Sequence, residues 1–206
     1  MNKLADNFKL LEKEGLKIAP YKVVYRSKAS FDIGEEIGYP VVLKAGVDIH
    51  KMEIGGVMTH IHNGLDMCEA WRKIKYNLDS NGIKEEELIV QKQINGTELI
   101  IGLKEDKIFG PIIMLGSGGS FAEVIKDVTF RACPITSLDA EEMIKEIKSY
   151  ELLRGVRGEK PAKIDALKDM LFVLSRLHRK FTFSEMDLNP VIVNEEGAFI
   201  VDVRIV

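Results

Sequence analysis

The sequence has no long apolar run. Its longest nearly apolar stretch, Ile108 to Leu115, is broken by a Gly and a Pro and falls far short of the roughly 20 residues a membrane span needs. No basic segment followed by an apolar one opens the chain, because Met1 to Glu14 carries charges throughout, so no secretion signal is expected. Charge of one sign is lacking too: 29 Lys and Arg against 32 Asp and Glu leave a net charge of −3. That balance argues against a dedicated nucleic-acid binder, which carries a basic excess. Cysteine is scarce. Cys68 and Cys133 lie far apart and form no C-x-x-C, so they read as buried thiols of a reducing, cytoplasmic compartment rather than a disulfide framework. Gly and Pro, 17 and 6 residues, are too few for a low-complexity chain. Neither a Walker A sequence nor a G-x-G-x-x-G after a strand occurs, so the two commonest nucleotide signatures are absent.

What remains is an ordinary globular composition, 46% hydrophobic and 30% charged over 206 residues, long enough to bury a sizeable core. Leu4, Phe8 and Leu11 mark a first helix that stops at Gly15. Strands are expected at Lys22–Tyr25, Pro40–Ala45 and Val57–His62, with a short helix capped by Ser27 or Ser30 and ending at Gly38. Gly46 to Gly56 reads as a mobile loop. A helix opening at Asn63 keeps Leu65, Cys68, Trp71, Ile74 and Leu78 on one face and closes at Asn81-Gly82. Three strand-like runs follow, Glu87–Gln93, Thr97–Leu103 and Phe109–Leu115, separated by Asn95-Gly96 and a turn near Asp106. Helices are expected over Ser137–Tyr150 and Lys163–Lys180. A hairpin, Glu185–Val193 and Ala198–Val203, ends the sequence. The pattern is α+β, in two lobes meeting near Glu87–Gln93.

The hairpin carries the sharpest spacing argument. With Asn194–Gly197 as a four-residue turn, Val193 faces Ala198, Val191 faces Ile200 and Asn189 faces Asp202. Side chains two apart share a face, so Asp187, Asn189 and Asp202 project together. Two carboxylates and an amide oxygen are hard donors suited to Mg²⁺. The competing reading pairs Asp187 with Arg204 and leaves Asn189 to cap a turn. Elsewhere, Lys44 ends an apolar strand and either snorkels to the surface or meets an anion. His50-Lys51 precede Gly55-Gly56, and Gly116 to Ser120 is a second glycine cluster; either can offer backbone N–H groups to phosphate or be a plain turn. Glu98 opens a strand as a solvated charge or as a partner for a sugar hydroxyl. His60 and His62 share a strand face, but no further ligand stands at zinc spacing. His178 lies late on a basic helix, where it complements the dipole.

Taken in order, several runs resemble the ATP-grasp subunit of ADP-forming acyl-CoA synthetases. They are Ile37-Gly-Tyr-Pro-Val-Val-Leu-Lys44, His50-Lys51 with Ile54-Gly-Gly-Val57, Gly96-Thr-Glu-Leu-Ile-Ile-Gly102 and Phe109-Gly-Pro-Ile-Ile-Met114. Glu123-Val, Lys126-Asp-Val-Thr-Phe-Arg131, Gly155-Val-Arg-Gly158 and Asp187-Leu-Asn-Pro190 with Asp202 complete the set. The succinyl-CoA synthetase β subunit is a more distant likeness. The resemblance implies an ATP-grasp fold, an N-terminal lobe over 1–87 with a swinging loop at 48–56, and a C-terminal lobe over 88–206. It implies that Lys44, Gly55 and Gly56 meet the nucleotide phosphates, that Val90-Gln91 hold the adenine and that Glu98 binds the ribose. Asp187, Asn189 and Asp202 would place Mg²⁺. His50, beside Lys51, would carry a phosphoryl group to ADP, and Gly118, Gly119, Glu123 and Arg131 would face a CoA-binding α subunit in an α2β2-like assembly. Acyl-CoA or carboxylate would bind through that partner, with no role for nucleic acid or membrane. The chain departs from the family at Met52-Glu53, where Ser or Thr and then Asp are usual, and at Glu105, where Arg is frequent. Two other functions share the residues: an ATP-grasp ligase joining a carboxylate to an amine, and a non-catalytic nucleotide-binding module. At 206 residues the sequence leaves no stretch for a Rossmann-type CoA domain.

Overall fold

The computed structural model of the chain describes residues 3–47, 51–119, 127–156 and 160–206. The residues divide into two units, Met1–Lys9 with Ile18–Ile94 and Leu10–Lys17 with Asn95–Val206. The first helix, α1 (Leu4–Lys13), contributes to both. Its Leu4, Phe8 and Leu11 are fully buried, and Gly15 leaves the helix at φ +82°, the left-handed region that glycine enters without a Cβ clash.

In the first unit, β1 (Tyr21–Val24), α2 (Ser27–Ile37), β2 (Val41–Ala45), β3 (Val57–Ile61), α3 (Gly64–Ser80) and β4 (Leu88–Lys92) follow in sequence. The strands form an antiparallel sheet in the order β1-β4-β2-β3. As a central strand, β4 is buried from Leu88 to Gln91, which explains its apolar run Leu88–Val90. Neither Ser27 nor Ser30 caps α2: Arg26 is the N-cap residue without a side-chain bond, and Ser30 Oγ donates to Ser27 O (2.6 Å). Asn63 does cap α3, accepting from Leu65 N (2.9 Å) and Asp66 N (3.0 Å). The buried stripe of α3 is Met67, Ala70, Ile74 and Leu78, and Leu65 is 70% exposed. The expected stripe and the observed one converge at Ile74 and Leu78. The small Ala70 lies beneath the helix and the larger Trp71 is only partly buried at its margin. In β3, His60 takes φ +57°, so the alternation expected there fails. His60 N donates to Gln93 Oε1 (2.7 Å), and the exposed His60 and His62 rings lie 6.4 Å apart.

The second unit contains β5 (Thr97–Asp106), β6 (Gly110–Ser117), β7 (Val128–Ala132), α4 (Ser137–Glu146), α5 (Tyr150–Leu153), α6 (Ile164–Leu174), β8 (Glu185–Asn194), β9 (Gly197–Ile200) and β10 (Arg204–Ile205). Its sheet runs β10-β8-β5-β6-β7, with β9 also paired to β8. At the β5–β6 turn, Asp106 Oδ1 accepts from Ile108 N (2.8 Å) and Phe109 N (2.9 Å); these bonds hold its carboxyl below the usual range. Thr136 and Asp139 form a capping box for α4. Both long helices stop earlier than their periodicity predicts. Ile147 is already extended (φ −82°, ψ 145°). Ser175, fully buried, donates its hydroxyl to Phe172 O (2.9 Å) and ends α6, the local competition that makes serine a poor helix interior; one 3₁₀ turn, Leu177–Arg179, follows.

Asn95-Gly96 joins two sheets rather than two paired strands. The expected lobe boundary at 87/88 and the observed division at 94/95 differ because β4 is hydrogen-bonded between β1 and β2.

Candidate functional site

In the first unit, the apolar strand β2 delivers Lys44 between Ile89 of β4 and Val57 of β3. Lys44 is 4% exposed, so it does not snorkel to solvent. Lys51, expected on a mobile loop, is likewise 4% exposed. It opens a folded turn: Gly56 N donates to Lys51 O (2.7 Å), Gly55 N to Met52 O (3.2 Å), and Ala45 N to Gly56 O (2.8 Å). Asn77 of α3 donates to Gly55 O (2.9 Å), and Gly55 sits at φ +62° with the Asn77 amide pressed against it. The described part of the loop is therefore anchored to both β2 and α3. His50 lies outside the described residues. Two sheltered lysines on adjoining segments bring two positive charges into one unit, and they suit a site that receives a polyanion.

On β4, Val90 is fully buried and Gln91 is 1% exposed, its Nε2 donating to Ala19 O (3.3 Å). Two residues beyond, Gln93 reaches His60. Nothing in the sequence singles out Glu87, one of three consecutive glutamates. Its side chain is 4% exposed, and its Oε2 accepts from Lys3 Nζ (2.8 Å) and Tyr25 OH (3.2 Å). The Glu87 charge raises the pKa of both donors, through the hydrogen bond first for Lys3 and through Coulomb repulsion of the phenolate first for Tyr25. Glu87 O also takes Gly46 N (2.9 Å), and Gly46 O takes Leu4 N (2.9 Å). The stem preceding residues 48–50 is thereby fixed.

In the second unit, the hairpin has the expected register: Val191 pairs with Ile200 and Val193 with Ala198. The same count holds beyond the end of β9, where Arg204 pairs with Asp187. In each pair the numbers sum to 391 (191 + 200, 187 + 204), and Asn189 and Asp202 lie between the two paired stretches, where residues 201–203 form no strand. Met186 and Leu188 are fully buried, whereas Asp187 is half-buried and Asn189 exposed. Asp202 is half-buried between the core residues Val201 and Val203, and its Oδ1 accepts from Val203 N (3.0 Å). Asp187, Asn189 and Asp202 are thus each more exposed than the apolar residues beside them. Arg204 stands opposite Asp187 in the ladder. Among the described residues no three His, Cys, Asp or Glu gather as a metal cluster. The hairpin set, with two carboxylates and an amide, fits a cation that completes its shell with water and phosphate oxygens.

Glu98 on β5 lines an open groove of about 760 Å³ with Gly118, Gly119, Ser149, Lys160 and Asn194. Gly118 N donates to Glu98 O (2.8 Å). Arg131 is engaged on α4: its guanidinium bonds Glu146 (2.5 Å) and approaches Glu142 (3.9 Å). The hydrogen bond to Glu146 raises its pKa and lowers that of Glu146. Glu123 lies outside the described residues. Among the described residues, the Nδ1 of half-buried His178 has no hydrogen-bond partner.

The profile of a family described as "ATP-grasp domain" matches residues 3–206. Among curated proteins, an ADP-forming acetate–CoA ligase I of Archaeoglobus fulgidus is 45% identical over 208 residues, covering 98% of this chain and 30% of that protein. The β subunit of ADP-forming acetate–CoA ligase I of Pyrococcus furiosus is 39% identical over 204 residues, 96% of this chain and 88% of that subunit. The chain thus spans under a third of the first relative and most of the second. Among solved structures, an acetyl-coenzyme A synthetase of Ca. Korarchaeum cryptofilum, in complex with coenzyme A and Ca-AMPCP, matches with a TM-score of 0.91 and 37% identity. The match covers 100% of this chain and 92% of that one. Another structure of that synthetase holds Mg-AMPPCP, with a phosphohistidine segment pointing towards the nucleotide-binding site. Among the described residues no helix is long and apolar enough to cross a membrane.

Proposed function

The chain belongs to the ATP-grasp family, and from that premise we propose that it is the nucleotide-handling part of an ADP-forming acyl-CoA synthetase. The observation that carries the reading is the hairpin register: it pairs Asp187 with Arg204 and Val191 with Ile200, with Asn189 and Asp202 between those pairs, in a chain whose relatives are ADP-forming acetate–CoA ligases. The two sheltered lysines add support.

The overall reaction is acyl-CoA + ADP + phosphate ⇌ carboxylate + CoA + ATP. Phosphate displaces CoA to give an acyl phosphate, a histidine nitrogen takes the phosphoryl group and releases the carboxylate, and ADP then takes it from the histidine. In this chain His50 is the proposed carrier and Lys51 its basic neighbour. Lys44, with Gly55 and Gly56, offsets and cradles the phosphate charge; Val90 and Gln91 hold the adenine; Glu98 accepts from a ribose hydroxyl. Phosphoryl transfer asks for positioning and charge neutralisation more than for proton chemistry. When bound at Asp187, Asn189 and Asp202, Mg²⁺ supplies the remaining neutralisation. Gly118, Gly119, Glu123 and Arg131 face the partner, a CoA-binding α subunit that selects the acyl group, in an assembly such as α2β2. The substrates place this work in the cytoplasm.

The test is to purify the chain with its CoA-binding partner and measure phosphate-dependent ATP formation across a panel of acyl-CoAs. Activity abolished by His50→Ala is the expected result. No ATP from any acyl-CoA with an intact partner would sink the proposal. ATP-dependent carboxylate–amine ligation surviving His50→Ala would favour the ligase reading, and Mg-ADP binding by calorimetry with neither activity the non-catalytic one.

A further inference from the structure

The run Lys126 to Arg131, which carries part of the family resemblance, contains a residue at the centre of a polar network, Asp127. Asp127 Oδ2 accepts from Ser117 Oγ (2.5 Å) and from Lys148 N (2.7 Å). Ser117 Oγ is also 2.5 Å from Ser149 Oγ. A hydroxyl has one proton to give and a carboxylate has none. Ser117 spends its proton on Asp127, so the Ser149 hydroxyl must donate to Ser117. The result is a one-way chain, Ser149 to Ser117 to Asp127. The main chain closes the same ring, with Ser117 N donating to Asp127 O (3.0 Å).

The network ends against Glu98. Ser117 is the last residue of β6, paired with Leu99, and Gly118 is one rung further, opposite Glu98. A Cβ on Gly118 would lie 2.8 Å from the Glu98 carbonyl carbon and oxygen, and one on Gly119 would lie 3.7 Å from Glu98 Oε2. The bare Gly118–Gly119 backbone is therefore the floor beneath the Glu98 carboxylate, and Ser149, 8% exposed, lines the same groove. We propose that Asp127 is a positioning residue for nucleotide recognition: by locking Ser117 and Ser149 it fixes the Gly118–Gly119 floor and so the aim of Glu98 at the ribose. This rests on the proposed role of Glu98.

The test compares binding of ADP and 2′,3′-dideoxy-ADP by calorimetry, with Mg²⁺, to the full chain and its variants. If Glu98 accepts from a ribose hydroxyl, the wild type prefers ADP by about tenfold, as for a hydrogen bond to a charged group. Asp127→Ala should cut that preference to about twofold while dideoxy-ADP binding stays within about twofold of wild type. Asp127→Asn, whose amide oxygen still accepts, should restore it. Ser117→Ala, which breaks the chain with less loss of main-chain support, should fall between them and stands in if Asp127→Ala does not fold. A merely structural role would weaken both ligands equally, and an unchanged preference in Asp127→Ala and Ser117→Ala would overturn the proposal while leaving the Glu98 reading intact. A wild type indifferent to the ribose hydroxyls would overturn the Glu98 reading and this proposal with it.

Discussion

Gly46 gives a stability prediction whose size follows from its neighbours. Its N–H and C=O are both hydrogen-bonded, to Glu87 O and Leu4 N at 2.9 Å each. A Cβ added there would meet Glu87 Cγ and the Glu87 carbonyl oxygen at 2.8 Å. Neither can retreat cheaply: the carbonyl is bonded to Gly46 itself, and the side chain is 4% exposed and held by Lys3 and Tyr25. Relief of the overlap costs about 1–3 kcal/mol, as in other overpacked sites, and a stretched backbone hydrogen bond adds about 1 kcal/mol. Alanine returns about 0.4–1 kcal/mol by narrowing the unfolded ensemble. The net loss for Gly46→Ala is about 2 kcal/mol, or a fall in Tm of about 4–8 °C for a chain of this size. Trp71 is the sole tryptophan and packs on the core of the same unit. Its fluorescence during thermal unfolding therefore reports on the unit that is strained, whatever the other unit does. A Trp71-detected midpoint within about 1 °C of wild type would refute the steric argument.

Three further outcomes follow from the geometry. Burial pushes the Cys133 thiol up to about 11, so at pH 8 it holds about a hundredfold less thiolate than an ordinary cysteine; native-state alkylation followed by mass spectrometry should leave it unmodified until the protein unfolds, and equal native and unfolded rates would contradict this. Asn63→Ala removes the acceptor for Leu65 N and Asp66 N and should cost about 1 kcal/mol, seen as a lower Trp71 midpoint; Asn63→Asp should recover most of it. The backbone hydrogen bond from Thr136, then its hydroxyl, lowers the Asp139 pKa. A depressed folded pKa gives stability that is present above the ordinary carboxylate value and is lost as pH falls through the folded one. Wild type and Asp139→Ala should therefore differ in Tm at pH 7 and converge towards pH 2; a gap independent of pH would exclude the ionised capping box.

Much of this was legible because it depends on counting. The hairpin register needs only a turn length and a period of two, and β4 needs only its unbroken apolar run. Residues whose state depends on distant neighbours were not legible. Glu87 sits in a run of three acids and is buried only because Lys3 and Tyr25 arrive from elsewhere in the chain. Lys51 stands in a glycine-flanked stretch, and its burial depends on the turn that Asn77 and Ala45 close from other elements. Ser175 stops α6 through a hydroxyl that periodicity cannot register. His60 breaks the alternation of β3 because a positive φ is a backbone state, and no residue type announces it.

The strand order β1-β4-β2-β3 also bears on how the chain is made. Among the described residues β1 pairs with β4 alone, and β4 is the last strand of its sheet to be synthesised. Until Leu88–Lys92 has emerged from the ribosome, β1 has no partner and β2 has only β3, a two-stranded ribbon of marginal stability. Nascent chains ending before Leu88 should stay protease-sensitive from Tyr21 onward, and a few added residues ending beyond Lys92 should protect the whole sheet together. The residues proposed to hold the adenine thus lie on the strand whose arrival completes the unit.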